Sequence, residues 1–298
     1  MDNRRGIAVV AAVLVVAGMF AAFAGRGSSN GGFGTANAVP VPKSLAADNA
    51  SPHEKLAVAP KRVPARVPSG AYQLLPAPPA TPVQLPGAGS ALAPVVSRLP
   101  ITDKVIFLGI DDGLVRDPQV LTLLKRAKVP FTMFLVQGAA DAGEAYWQQA
   151  QQAGGTVEAH TITHPDLTKV GEQRRHDEVC GPIADLQERF GRRPTLFRPP
   201  YGAYNDAVRA DAASCGFKAV VMWKGSTNDG RFDLQEGPNL QPGDIILMHW
   251  RTDLYQDLLK VFDTVRTQGF SIGRLEDYFP DPATTATAPR AAKSSAKK

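Results

Sequence analysis

The sequence predicts an α/β fold over residues 101–280, an incomplete or distorted (β/α) barrel of about seven parallel strands. Three observations lead there. Short β-rich apolar runs alternate with longer amphipathic stretches, the pattern of strand-helix units feeding a parallel sheet. Several of the apolar runs end in Asp, His or Arg, as strands do when their carboxyl ends face a common site. Residues 224–243 are a Gly, Asn and Pro loop where the alternation calls for a helix, so the barrel falls short of a full set of units. An open doubly wound sheet is the alternative.

The strands expected are 105–110 (VIFLGI), 131–136 (FTMFLV), 156–159 (TVEA), 195–198 (TLFR), 218–223 (KAVVMW), 245–249 (IILMH) and 270–274 (FSIGR). Helices are expected at 118–128, 142–153, 172–190, 205–215 and 253–268, the last with Leu254, Leu258, Val261, Phe262 and Val265 on one face.

Outside this domain the composition changes. Residues 1–26 carry Arg4 and Arg5 ahead of an uncharged Ala- and Val-rich run from Gly6 to Gly25, which reads as a signal peptide or an N-terminal membrane anchor. Either outcome places the rest of the chain outside the cytoplasm, secreted or held at the membrane through residues 6–25. Thirteen of the twenty-five prolines fall in residues 27–100, which are expected to form a disordered, partly extended linker. Residues 281–298 are a basic tail expected to be disordered.

The net charge of +5 belongs to these flanks: residues 101–280 hold twenty basic and twenty-four acidic side chains. A net-acidic domain has no basic face for nucleic acid, so nucleic acid is excluded as a partner. The two cysteines, Cys180 and Cys215, rule out a zinc knuckle. Each lies in a helical stretch, so a bridge between neighbouring helices and two buried free thiols both remain open.

The strand-end residues carry the candidate chemistry. Asp111 and Asp112 close the first strand ahead of Gly113, where one carboxylate can bind a metal while its neighbour addresses a water. The alternative is an ordinary Asp-Asp-Gly turn. His160 and His164, followed by Pro165, are spaced to share one side of a helical turn and to reach one cation. Two imidazoles and a carboxylate suit zinc, or another divalent ion such as cobalt, with Asp112 as the third ligand. Arg198 ends a strand before Pro199-Pro200-Tyr201-Gly202 and can hold Asp111 ionised. A plain structural ion pair is the competing use. His249 ends the strand Ile245–Met248 and is placed to donate a proton. His53 and His176 have no evident task.

Taken together, IDDG at 110–113, HTITHPDL at 160–167, RPPYG at 198–202 and the LMH strand end at 247–249 resemble the polysaccharide deacetylases, the chitooligosaccharide and peptidoglycan deacetylase superfamily of carbohydrate esterase type. The resemblance covers roughly residues 103–278. It implies metal-dependent removal of N-acetyl groups from amino sugars of a wall glycan. The metal would be held by Asp112, His160 and His164, with Asp111 as general base, the Tyr201 backbone N–H on the oxyanion and His249 as acid toward the departing amine.

The chain departs from the family in two places. Gly109-Ile110 stand where Thr and Phe are common. In the fourth motif Ser226 occupies the place of the first of two aspartates, Asp229 is left for the second as a candidate to orient the catalytic groups, and Gly230 replaces a Trp. Trp223 is a candidate for lining the sugar or acetyl pocket, and a core position is its alternative. Two competing functions remain: a metal-holding glycan-binding homologue with little or no turnover, and a deacetylase of small or O-acetylated substrates.

Overall fold

The computed structural model describes Leu74 and residues 76–279. The expected export segment at 1–26, most of the linker expected at 27–100 and the tail expected at 281–298 lie outside the described residues. Among the described residues no helix is long and apolar enough to cross a membrane.

In chain order the elements are β1 (Val95–Val96), β2 (Val105–Asp112), α1 (Pro118–Ala127), β3 (Phe131–Leu135), α2 (Gln137–Gln152), β4 (Gly155–Ala159), α3 (Glu172–Cys180), α4 (Pro182–Phe190), β5 (Leu196–Phe197), α5 (Asp206–Ser214), β6 (Ala219–Val221), β7 (Gly225–Asn228), β8 (Arg231–Leu234), β9 (Ile245–His249), α6 (Leu254–Thr267) and β10 (Ser271–Ile272). The sheet runs β1-β6-β5-β4-β3-β2-β9-β7-β8, with β10 also pairing β2. Every ladder is parallel except the β7–β8 hairpin. Strands β2 to β6 neighbour one another in sequence order and β9 returns beside β2. This is the order of a curled barrel, without the mid-sheet reversal of a doubly wound fold.

Strand parity creates two cores. On β2, Val105 and Phe107 join Phe134, Leu196, Ala219, Val221 and Ile245 inside the barrel. Ile106, Leu108 and Ile110 instead face the helices, with Met133, Phe197 and Met248 from neighbouring strands. This period of two decides which strand-end side chains reach the interior. Tyr278 and Phe279 fill the inner core from the carboxyl-terminal end of the domain.

Local signals set the helix ends. Asp117 caps α1 by accepting from the Gln119 N–H, Pro118 opens the helix, and Lys128 closes it in a left-handed conformation. The single helix expected at 172–190 is two, because Pro182 starts a new helix at its first position and Gly181 separates them.

Two further expectations give way. The linker ends earlier than residue 100: β1 pairs with β6, and the Leu99 N–H donates to Gly243 O at 2.9 Å. Arg98 bridges to Asp244 at 2.6 Å and Glu236 at 2.8 Å, so this short segment spans the gap between β6 and β9. Buried Val96 and Leu99 supply the driving force that a proline count cannot reveal. The loop expected at 224–243 contains the β7–β8 hairpin, whose turn at Asp229 and Gly230 takes φ of 50° and 74°. Consecutive positive φ values at an Asp-Gly pair are what a two-residue hairpin turn requires.

Candidate metal and catalytic site

Asp111 follows Val105, Phe107 and Gly109 in inward parity, and His249 follows Ile245 in the same way on β9. Register pairs Asp111 with His249 across the β2–β9 ladder, so the two side chains emerge together on the inner face. His160 and Arg198 sit one residue past β4 and β5, in phase with the inward positions 158 and 196. The sequence thus delivers four polar groups to one mouth by strand parity alone.

Asp112 would point outward in a continuing strand. Its φ of 74° redirects it, and Gly113 continues the turn at φ 101°. Thr161, His164 and Tyr201 are also left-handed, at φ 71°, 62° and 60°. Four of the six described non-glycine residues with positive φ therefore belong to this one site, a concentration of backbone strain that marks function more often than accident. The helical turn expected for His160–His164 is absent. The two imidazoles converge instead through an irregular loop, with ring centroids 4.9 Å apart.

Asp112 Oδ1 lies 3.5 Å from His160 Nε2 and 3.2 Å from His164 Nε2. That oxygen is buried and accepts no hydrogen bond. His160 Nδ1 lies 2.7 Å from the Arg198 carbonyl, which can only accept, so Nδ1 carries the proton and Nε2 presents a lone pair. One ligand atom from each of Asp112, His160 and His164 falls within 4.8 Å of the others. An unpartnered carboxylate oxygen facing imidazole lone pairs is a donor set for a divalent transition metal, and the three residues fit one.

Electrostatics agree. Burial would raise the Asp112 carboxyl, yet the imidazoles of His160 and His164, with His249 beyond, hold it well below the ordinary carboxylate range. Burial pushes the His160 imidazole down, but Asp111 and Asp112 together pull it above its usual value. With one guanidinium against two carboxylates, the pocket favours an added cation.

Arg198 is fully buried. Its Nη1 donates to Asp111 Oδ1 at 2.7 Å, its Nε to Val221 O at 3.1 Å, and its Nη2 reaches Met222 O at 3.4 Å. The guanidinium lies 4.1 Å above the Phe134 ring, a favourable cation–π contact. Burial lowers its pKa against the pull of Asp111. Gly109 makes this arrangement possible: a Cβ there would stand 2.6 Å from both terminal nitrogens of Arg198.

The remaining candidates separate. Tyr201 is 69% exposed at the mouth, with its hydroxyl 3.3 Å from His164 Nδ1 and its ring 4.7 Å from the imidazole. Trp223, half-buried, packs over Gly202, where an added Cβ would come within 2.8 Å of the indole. Burial lowers the His249 pKa, opposed by Asp111 and Asp112. Among the described residues no hydrogen bond or ion pair links Asp229 to the other candidates. Asp229 sits in the hairpin turn, where its N–H donates to Asp253 at 2.8 Å and its neighbour Gly230 donates to Asp257, so the turn is committed to α6.

Cys180 and Cys215 form a disulfide joining the end of α3 to the residue after α5, with Cα atoms 5.5 Å apart. The sequence reading missed Glu178 and Thr161, both buried around the His160–His164 loop.

A polysaccharide deacetylase family model matches residues 99–220. The chain is 34% identical over 193 residues to the uncharacterized protein SCO4760 of Streptomyces coelicolor, covering 62% of this chain and 77% of that one. It is 26% identical over 189 residues to a peptidoglycan-N-acetylglucosamine deacetylase of Bacillus cereus, covering 59% of this chain and 88% of the relative. A solved structure of the Bc1960 peptidoglycan N-acetylglucosamine deacetylase superposes with a TM-score of 0.55 at 25% identity, over 63% of this chain and 93% of that one. Strand order, matched segment and relatives converge, and the chain belongs to the polysaccharide deacetylase family.

Proposed function

We propose that this protein removes N-acetyl groups from amino-sugar residues of a cell-wall polysaccharide, peptidoglycan or a chitin-like glycan, releasing acetate. The observation that carries the reading is the meeting of Asp112, His160 and His164 around one point, beside a buried Asp111–Arg198 pair and in register with His249. A divalent cation held by the three ligands, zinc or a similar ion such as cobalt, supplies Lewis acidity toward a carbonyl oxygen and acidifies water.

The protein's own groups do the rest. Asp111, aimed by Arg198 at 2.7 Å, takes a proton from the attacking water. The Tyr201 N–H donates toward the developing oxyanion, at a backbone held in a left-handed conformation. A protonated His249, its pKa depressed by burial, is the stronger acid for that shift and hands its proton to the departing amine. Exposed Tyr201 and half-buried Trp223 offer aromatic faces to the sugar rings. The expected signal or anchor at 1–26 places this chemistry outside the cytoplasm, on glycan at the membrane or wall.

The test is acetate release from N-acetylglucosamine oligomers and from peptidoglycan, after chelation and reloading with zinc or cobalt. Wild type releases acetate only when loaded, and Asp111→Asn drops the rate by about 10²–10⁴-fold while still binding metal. Equal acetate release by wild type and variant under every metal tried contradicts the reading. Glycan and metal binding with no release by the loaded wild type points to the non-catalytic alternative.

A further inference from the structure

Glu178 lies in none of the four motif segments, on a helix whose other side chains are mostly polar or charged, and yet only 4% of it is exposed. Its carboxylate reaches under the loop between the two histidines. Oε2 accepts the N–H groups of Ile162 at 3.0 Å and Thr163 at 2.8 Å, and Oε1 accepts the Thr163 hydroxyl at 2.5 Å. These are the groups between Thr161 and His164, the two residues with left-handed backbone. No helix or ladder satisfies successive N–H groups in such a loop, and a carboxylate accepts them with roughly twice the strength of a neutral group.

The loop also seats sterically on the same helix end. A Cβ at Gly181 would lie 2.7 Å from Ile162 Cδ1, so glycine there lets the loop lie directly on the junction of α3 and α4. Helix α3 is itself anchored, by the Cys180–Cys215 disulfide and by Arg175 to Asp211 at 2.6 Å. Thr161 Oγ1 completes the support by accepting the His164 N–H at 3.0 Å.

We infer that Glu178 is a positioning residue for the metal-ligating loop. From α3 it fixes the backbone between His160 and His164, and so the distance and angle at which the two imidazoles meet Asp112. The inference rests on the reading of Asp112, His160 and His164 as metal ligands. An amide in place of the carboxylate removes the negative charge that strengthens the two N–H contacts, and with its oxygen on those N–H groups it turns its NH2 toward the Thr163 hydroxyl, which must give up its own donation to accept. The loop then relaxes and the imidazoles lose their common aim.

The experiment uses the full chain, titrated with zinc against a chromophoric chelator, with the visible spectrum of the cobalt-loaded form as a second readout. Glu178→Gln should weaken zinc binding by about 10–100-fold, the range for loss of a group that orients a ligand, and should alter the cobalt spectrum. Thr163→Val, which removes only the hydroxyl donor, should weaken zinc less. Asp244→Asn removes another buried carboxylate, one paired with Arg98 at the opposite end of β9. It should lower the melting temperature and leave zinc affinity and cobalt spectrum unchanged.

Wild-type affinity and spectrum in both Glu178→Gln and Thr163→Val overturn the inference, as does an equal loss of zinc in Asp244→Asn. Should Glu178→Gln fail to fold, unchanged zinc binding by Thr163→Val overturns it alone. A wild-type protein that binds neither metal refutes the ligand assignment itself, a different result from variants that bind as well as wild type.

Discussion

Two pairs of carboxylates are buried in the same barrel, and Asp112 in one is tuned in the opposite direction to Glu158 and Glu276 in the other. At the mouth, Asp112 is held well below the ordinary carboxylate range and Asp111 is joined to Arg198. The other pair is Glu158 and Glu276. Burial raises Glu158 against the pull of Arg192 and two backbone N–H groups, and raises Glu276 to about 7 with the Glu158 charge adding to the rise. One Glu276 oxygen accepts the Thr132 hydroxyl at 2.7 Å, and its other oxygen is buried without a partner. Burial opposes ionisation of Asp112 as it does of Glu158 and Glu276. What differs is the supply of cations and aligned donors: Asp112 faces two imidazoles and Glu158 has Arg192 and two N–H groups, while among the described residues Glu276 makes no ion pair, so Glu276 is the carboxyl that favours its proton.

Variants can break this contrast. The largest effect is expected for Asp112→Ala, which removes one of the three proposed ligands: bound zinc, measured on dialysed protein, should fall to background, and acetate release with it. Next comes Arg198→Met, which leaves Asp111 buried without its partner. Stability should fall by about 3–5 kcal/mol in denaturant unfolding, with activity lost and the ligand set intact. Gly109→Ala tests the same pair from below by intruding on the guanidinium. It should cost about 1–3 kcal/mol and lower kcat more than zinc affinity.

The smallest effect, and the one of opposite sign, belongs to Glu276. Its folded pKa of about 7 exceeds the ordinary 4.5, so its stabilising contribution is complete below about pH 4.5 and is lost as pH rises through 7. Glu276→Gln should flatten the fall in stability across that window and leave the variant the more stable above it, by an amount on the order of 1–3 kcal/mol. Thermal melts from pH 4.5 to 8 measure this. A wild-type profile that rises with pH between 4.5 and 7, and that Glu276→Gln does not change, removes the contrast.

Most of the mouth was legible because strand parity is legible. The runs ending at Asp111, Arg198 and His249 are apolar and periodic, and in a parallel sheet their carboxyl ends share one face. The His160–His164 pairing was legible as spacing but not as conformation, since left-handed backbone at Thr161 and His164 leaves no propensity signal. Strand β1 is only two residues long in a proline-rich background, and β7 reads Gly-Ser-Thr-Asn, so tertiary pairing rather than pattern makes them strands. Glu178 was invisible for a third reason. An acidic residue on a charged helix looks solvent-facing, and its partners lie fifteen and sixteen positions away in a loop. Asp229 shows the converse: motif alignment supplied a carboxylate, while the Asp-Gly turn chemistry placed it against α6.

The central proposal is that the mouth holds a divalent metal on Asp112, His160 and His164 and uses Asp111 as base. The most direct measurement is metal content and acetate release on one preparation of wild type and Asp111→Asn, reloaded with zinc. The account predicts close to one zinc per chain in both, with acetate release from N-acetylglucosamine oligomers only by wild type. Zinc absent from both proteins, or acetate released equally by both, would contradict it.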